Sequence, residues 1–346
     1  MAEDSWAEQA VDRFFATRAR PTRSQCDQLA LSVSGASIIR PVEVPGSLSY
    51  TVICTKTQGH KQRDDERVVV SFRQSESGLN SNSVELARAI HGCLVPKATN
   101  HGETRSSDPP LSIYTMPLLP GVACLEALGY EASMDDDEEA KHVCFITHLA
   151  KYFARCWSVT QSLKPQALAE NQAGVSRRLA TLMASPSPAV PISTLSELQA
   201  TLPQLFATDY PQVLTHGDLS KTNILVDPES LEVTGIVDWS LAAVKPFGME
   251  LDCLFLMTGC MDLAGWHDSD CQPRLLKTFW AEFWTEAGIE EDGSGRRDNV
   301  RAMAEVAAKI GALLRYGFSR NADGSPSEEL STSKNMLKML KAWFGD

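Results

Sequence analysis

The sequence predicts an α+β protein of two unequal lobes, and three observations predict it. Runs rich in β-branched residues cluster in the first part of the chain, as "SIIRPVEV", "SYTVICT" and "RVVVSFR". Beyond Pro117 the apolar residues recur at helical spacing instead. Inside that helical part, two strand-like runs flank the polar-hearted segment "LTHGDLSKTNILVD", residues 214–227. The expected division is residues 1–116, holding N-terminal helices and a small antiparallel sheet, and residues 117–346, a mainly helical lobe with a short hairpin.

In chain order, the first thirty-odd residues read as helix with a break at Pro21, because proline lacks the backbone donor a helix interior needs. The three strand-like runs follow as an antiparallel meander, turned at Pro45 and Gly46 and again in the polar stretch 57–66. "SNSVELARAIHGCL" is a helix closed by Pro96. "HGETRSSDPP", residues 101–110, is loop by composition, and "LSIYTMPLLPG" starts as a strand that Pro117 ends. "EEAKHVCFITHLAKYFARCWSVTQSL" is helical. The acidic run at 134–140 suits a solvated loop or a helix start, where carboxylates complement the helix dipole. Adjacent carboxylates do not by themselves converge on a metal ion. "ASPSPAVP", residues 184–191, is a linker within the helical half, and helices finish the chain.

The 346 residues carry a formal net charge of −12, which argues against nucleic acid as a partner, since phosphate backbones call for a basic surface. Nine cysteines are scattered without a C-x-x-C pair, the pattern of reduced and mostly buried thiols in a cytoplasmic protein. No apolar run is long enough to span a bilayer, and the acidic, amphipathic N-terminus does not read as a signal peptide, so no membrane partner is expected.

His216, Asp218 and Asn223 share one short loop, and "GIVDWS" brings Asp238 fifteen residues after Asn223. Carboxylates and an amide at the ends of adjacent short strands can converge on a divalent cation and a hydroxyl. Phosphoryl transfer needs those parts: hard oxygen ligands for magnesium and a base that orients the attacking hydroxyl. A plain turn residue is the alternative reading of Asp218, since Asp and Asn favour such loops.

H-G-D-x-x-x-x-N followed by a hydrophobic strand ending in Asp resembles the catalytic and metal-binding loops of the aminoglycoside phosphotransferase family. "HGDLSKTN" and "VDWS" stand where protein kinases carry H-R-D-L-x-x-x-N and D-F-G. "GSLSYTV", "PLLPG" and "LLRYGF" are similar to a fungal small-molecule branch of that family. The resemblance runs from about Ile38 to Phe318, with its specific core at 216–238. It implies a two-lobed protein-kinase-like fold, ATP and Mg2+ as cofactors, and a small-molecule acceptor phosphorylated on a hydroxyl or, less readily, an amine.

The resemblance also implies roles. Asp218 is the expected base, and Asn223 and Asp238 the expected magnesium ligands. His216 is expected to pack and fix the loop. Lys221 either touches the transferred phosphate or stands in solvent. Asp252, within "MELDCLFLM", is expected as a buried carboxylate bonding the backbone of the catalytic loop. For the nucleotide, backbone N–H groups around Gly46, Ser47 and Ser49 are candidates to cradle phosphate, with a simple hairpin as the alternative. Ser71 and Arg73 share a strand face, with arginine where V-A-I-K has lysine. Glu85, on the next helix, is the expected partner of Arg73, with a surface glutamate as the alternative. Met116 and Leu118 mark the hinge that meets the adenine edge. One glycine where kinases have three, and arginine for lysine, keep a second reading open: a kinase-like fold that binds but no longer transfers phosphate, or serves other chemistry.

Overall fold

The computed structural model describes residues 6–16, 18–56, 66–104, 109–129, 132–185, 187, 189–291, 293, 295–322 and 324–345. Most of the expected turn at 57–66, and residues 105–108 of the expected loop, lie outside them.

Two helices open the chain, α1 (Trp6–Ala16) and α2 (Arg23–Ser34). A capping box bounds α2, with the Thr22 hydroxyl accepting from the Gln25 N–H and the Gln25 side chain accepting from the Thr22 N–H. The strands β1 (Ile38–Pro41), β2 (Ser49–Lys56) and β3 (Glu66–Gln74) come next, then α3 (Ser81–His91), β4 (Thr99–Glu103) and β5 (Leu111–Pro117). They form one antiparallel sheet in the order β1-β2-β3-β5-β4. Alternation decides its two faces. Val52, Cys54, Val70 and Phe72 turn inward against Val11, Phe14 and Ala30 of α1 and α2. Thr51, Ser71 and Arg73 point the other way, into the cleft between the lobes.

After Pro117 the chain enters the large lobe through β6 (Val122–Ala123), α4 (Cys124–Ala127) and α5 (Asp136–Ser158). Asp135 caps α5 and exchanges bonds with Glu138, while Asp136, Asp137, Glu138 and Glu139 fill its first turn. The acidic run is therefore a helix start, as its composition implied. Then follow α6 (Pro165–Ala184), α7 (Ile192–Leu205), β7 (Gln212–Thr215), β8 (Ile224–Val226), β9 (Val233–Ile236) and β10 (Ala243–Pro246). The chain ends through α8 (Asp252–Met257), β11 (Gly259–Met261), β12 (Trp266–Asp268), α9 (Gln272–Glu286), α10 (Arg296–Tyr316), β13 (Phe318–Arg320), β14 (Pro326–Leu330) and α11 (Lys334–Phe344). β6, β8 and β9 make a three-stranded antiparallel sheet, and β7 pairs with β10.

Two features depart from the sequence reading. The large lobe holds further two-stranded ribbons, β11–β12 and β13–β14, whose strands are too short for alternation to show. Helix α3 also crosses the expected division at residue 116. Its Val84, Ala87 and Ile90 pack with Phe145 and Leu149 of α5 in the core of the large lobe.

Candidate active site

A cleft of about 600 Å3 opens between the sheet and the large lobe. From the small lobe, Gly46, Ser47, Ser49, Ser71 and Arg73 line it. The connector contributes Met116 and Leu118, and the two loops of the large lobe contribute Asp218, Asn223 and Asp238. Glu85, the expected partner of Arg73, does not line the cleft. It is exposed on α3, beside the inward-facing Val84.

The loop between β7 and β8 is shaped by a glycine and a buried glutamate. Gly217 has φ +85, and a Cβ there would lie 2.1 Å from the Leu241 carbonyl oxygen, so no other residue fits. The Glu250 carboxylate accepts from the N–H groups of His216 (2.9 Å) and Gly217 (2.6 Å). His216 is fully buried, with its Nε2 donating to the Val237 carbonyl (2.8 Å) and its Nδ1 accepting from the Asp218 N–H (3.2 Å). It ties the two loops together, which is the packing role its position suggested. Asn223 Nδ2 donates to the Asp218 carbonyl (2.8 Å), which leaves Oδ1 as its hard donor toward a ligand.

The expected backbone-bonding carboxylate, Asp252, is buried but does something else. It meets Arg315 at 3.5 Å, and Arg315 donates in turn to Asp218 Oδ1 (3.0 Å) and the Leu219 carbonyl (3.2 Å). Burial pushes the Asp252 carboxyl up to about 6, against the pull of Arg315. Arg315 can reach the loop because Gly311, one turn earlier on α10, brings the helix onto the Met249 backbone, where a Cβ would lie 1.9 Å from a carbonyl oxygen. Glu250 and Arg315 thus hold the loop, and the sequence reading named neither. Their signals were present, Glu250 two residues before Asp252 and Arg315 inside "LLRYGF".

Asp238 begins the second loop in the left-handed conformation, φ 64 and ψ 61. A non-glycine residue there costs about 1–2 kcal/mol and is held only by its surroundings. Buried Trp239 supplies them, its indole donating to the Ile236 carbonyl (3.0 Å) and packing on His216. Arg73, 5% exposed, donates through Nη2 to Asp238 Oδ1 (2.7 Å) and through Nε to the Ser77 carbonyl (2.8 Å). Asp238, not Glu85, is its ion-pair partner. Burial works against the Asp238 charge, but Arg73 and the Ser240 hydroxyl outweigh it and hold the carboxyl below the usual carboxylate range.

On the sheet, Thr51 joins the expected residues, its hydroxyl bonded to Ser71 (2.9 Å) in a polar row beside Arg73. Lys221 does not line the cleft. Its ammonium lies 3.4 Å from the Gly259 carbonyl, and burial lowers its pKa.

Glu250→Gln tests the loop support. An amide keeps only one accepting oxygen, so one of the two N–H groups loses its partner, at a cost of about 1–3 kcal/mol. Urea denaturation should show that loss, and unchanged stability would mean that the N–H groups find other acceptors.

Two solved structures show the fold. The GDP complex of an aminoglycoside 2′-phosphotransferase-IIIa mutant aligns with TM-score 0.52 at 14% identity, covering 85% of this chain and 90% of that one. A Ralstonia eutropha JMP134 protein assigned to the aminoglycoside phosphotransferases aligns with TM-score 0.51 at 13% identity, covering 97% of each chain. The chain therefore has the two-lobed kinase-like fold. No curated protein matches the sequence. The family model described as "Uncharacterized oxidoreductase dhs-27" (DUF1679) matches residues 82–294, more than half of the chain, and the protein belongs to that family.

Proposed function

We propose that the protein is an ATP- and Mg2+-dependent phosphotransferase acting on a hydroxyl, less readily an amine, of a small molecule, within the fungal small-molecule branch its motifs resemble. The observation that carries this reading is the convergence of Asp218, Asn223, Asp238 and Arg73 on one cleft. Nine free cysteines suit the cytoplasmic setting that belongs to the same proposal. Among the described residues no helix is long and apolar enough to cross a membrane.

The donor set fits magnesium. Among the described residues no cluster of three His, Cys, Asp or Glu side chains is placed for a metal. Magnesium, however, is typically held by one or two protein oxygens together with substrate phosphates. Arg73 and Ser240 both engage Asp238 Oδ1, so Oδ2 and Asn223 Oδ1 are the oxygens available to hold it. Bound there, the cation offsets charge on the phosphates.

Asp218 orients the acceptor hydroxyl and takes its proton. The hydroxyl oxygen forms a bond to the terminal phosphorus, the bond from that phosphorus to the bridging oxygen breaks, and its electron pair leaves with ADP. With nucleotide bound, Arg73 and the hydroxyls of Thr51 and Ser71 would meet its phosphates from the sheet, and Met116 and Leu118 would lie against its base.

The Arg73–Asp238 pair favours one other reading, a fold that binds nucleotide without transferring phosphate, and turnover separates the two. The family's oxidoreductase description finds little in the chain to rest on. No G-x-G-x-x-G occurs in the sequence, and the strand pairs described are antiparallel, whereas dinucleotide sites of the Rossmann type use that turn beside parallel strands.

The test is turnover of labelled ATP by the purified protein over a metabolite panel, with calorimetry of two variants. Asp238→Ala removes a full charge and Asn223→Ala only a neutral carbonyl, so Asp238→Ala should weaken Mg2+-dependent nucleotide binding more. The reverse order would count against this metal site.

A further inference from the structure

Behind the catalytic loop lies a second, smaller cavity of about 40 Å3, lined by Gly217 of that loop, Lys245, Glu250, Arg315 and Arg320. On a scale where one water needs about 10–15 Å3, it admits a few heavy atoms, enough for a carboxylate or phosphate head but not a sugar ring. Its charges are unevenly matched. The Glu250 carboxylate is committed to the N–H groups of His216 and Gly217, and Asp252 to Arg315. Arg315 spends its remaining donors on Asp218 and the Leu219 carbonyl.

Lys245 and Arg320 are hydrogen-bonded to no carboxylate among the described residues, although Glu250 and Asp252 act on Lys245, and Asp218 and Asp252 on Arg320, through space. The Lys245 ammonium has no hydrogen bond or ion pair among the described residues, and the Arg320 side chain donates only to the neutral Gly324 carbonyl (2.9 Å). Lys245 is half-buried and Arg320 is exposed at the end of β13, so both can meet an anion that enters the cavity. An anion between them would accept charge-assisted hydrogen bonds from two donors that no carboxylate holds. Gly217 lines this cavity one residue before Asp218, and Arg315 lines it while donating to Asp218 Oδ1, so a group bound here lies close to Asp218.

We propose that the acceptor carries an anionic group, carboxylate or phosphate, which enters this cavity between Lys245 and Arg320 while its hydroxyl lies against Asp218. The proposal rests on the phosphotransferase reading and specifies its substrate class. Within this cavity the amino groups of a polycationic sugar would find no free carboxylate, since Glu250 and Asp252 are already bonded.

Two measurements test it. In the first, acetate and inorganic phosphate are titrated into the full-length protein at constant ionic strength, with chloride as the reference. A rise in melting temperature beyond that of chloride is expected in the wild type and should be lost in Lys245→Gln. Equal behaviour of all three salts in the wild type overturns the proposal, whether or not the variant folds. In the second, turnover of labelled ATP is compared across hydroxy acids, phosphorylated alcohols, uncharged alcohols and amino sugars. Preference for hydroxy acids identifies a carboxylate, and preference for phosphorylated alcohols a phosphate. For whichever is used, Lys245→Gln and Arg320→Gln should raise KM by about 10- to 100-fold, the scale of a lost charge-assisted hydrogen bond. Preference for uncharged or cationic acceptors overturns the proposal while leaving phosphotransfer standing. Absence of Mg2+-dependent nucleotide binding in the wild type, read separately by calorimetry, overturns the phosphotransferase reading instead.

Discussion

Asp218→Asn is expected to lower kcat by about 10²–10⁴-fold, the usual scale for removal of a general base. The substitution suits the question because it is nearly isosteric. Asparagine keeps an oxygen to accept from Arg315, and Arg315 keeps its contact with Asp252, so the loop should hold its shape. What is lost is the charge that attracts the hydroxyl proton. Nucleotide affinity should change little, because the oxygens proposed for the cation belong to Asp238 and Asn223. Single-turnover rates with an identified acceptor, alongside calorimetry with Mg2+ and nucleotide, check both halves. Turnover that survives intact would falsify the assignment of Asp218 as base.

The second large effect is expected at Arg73. Arg73→Met keeps the apolar stem and removes the guanidinium, so Asp238 loses its ion-pair partner and the nucleotide phosphates lose a donor. Affinity and turnover should each fall by about 10-fold or more, since hydrogen bonds to charged groups are worth about 1.5–3 kcal/mol. Arg73→Lys keeps the charge but not the planar fork that serves Asp238 and the Ser77 carbonyl together, so its loss should be smaller. Glu85→Gln should match the wild type, because Glu85 is exposed on α3, outside the cleft. Thermal melts of all three exclude unfolding as the cause. Near-wild-type behaviour of Arg73→Met would reduce Arg73 to a packed stem and strengthen the reading without phosphotransfer.

The outcome at Glu85 shows where the sequence stops being informative. Strands and helices were legible because their signals are local: alternating β-branched residues before residue 75, helical spacing beyond Pro117, and an acidic first turn for α5. The loop residues were legible because Asp218, Asn223 and Asp238 lie within twenty-one positions of one another, and Asn223 and Asp238 flank two short strands that pair, β8 and β9. The partner of Arg73 was not. Which face of α3 meets the sheet depends on how Val84, Ala87 and Ile90 dock on α5, and nothing near Glu85 encodes that. Asp252 was named for the loop backbone and Glu250 passed over for a related reason. Both are buried in one short stretch, and only the turn entering α8 decides which of them reaches the loop N–H groups. Arg315 acts on Asp218 from 97 residues away, a distance over which periodicity says nothing.

The packing of α3 bears on how the protein comes apart. Between β3 and β5, neighbours in one sheet, the chain leaves to bury three apolar side chains in the opposite lobe and then returns. The lobes are thus threaded through each other rather than joined at one seam. A cut after Pro117 would strip α3 of its partners in the large lobe, and a cut before Ser81 would take β5 from the middle of the sheet. Neither half has a complete interior alone, so heat or denaturant should melt both together in one cooperative step.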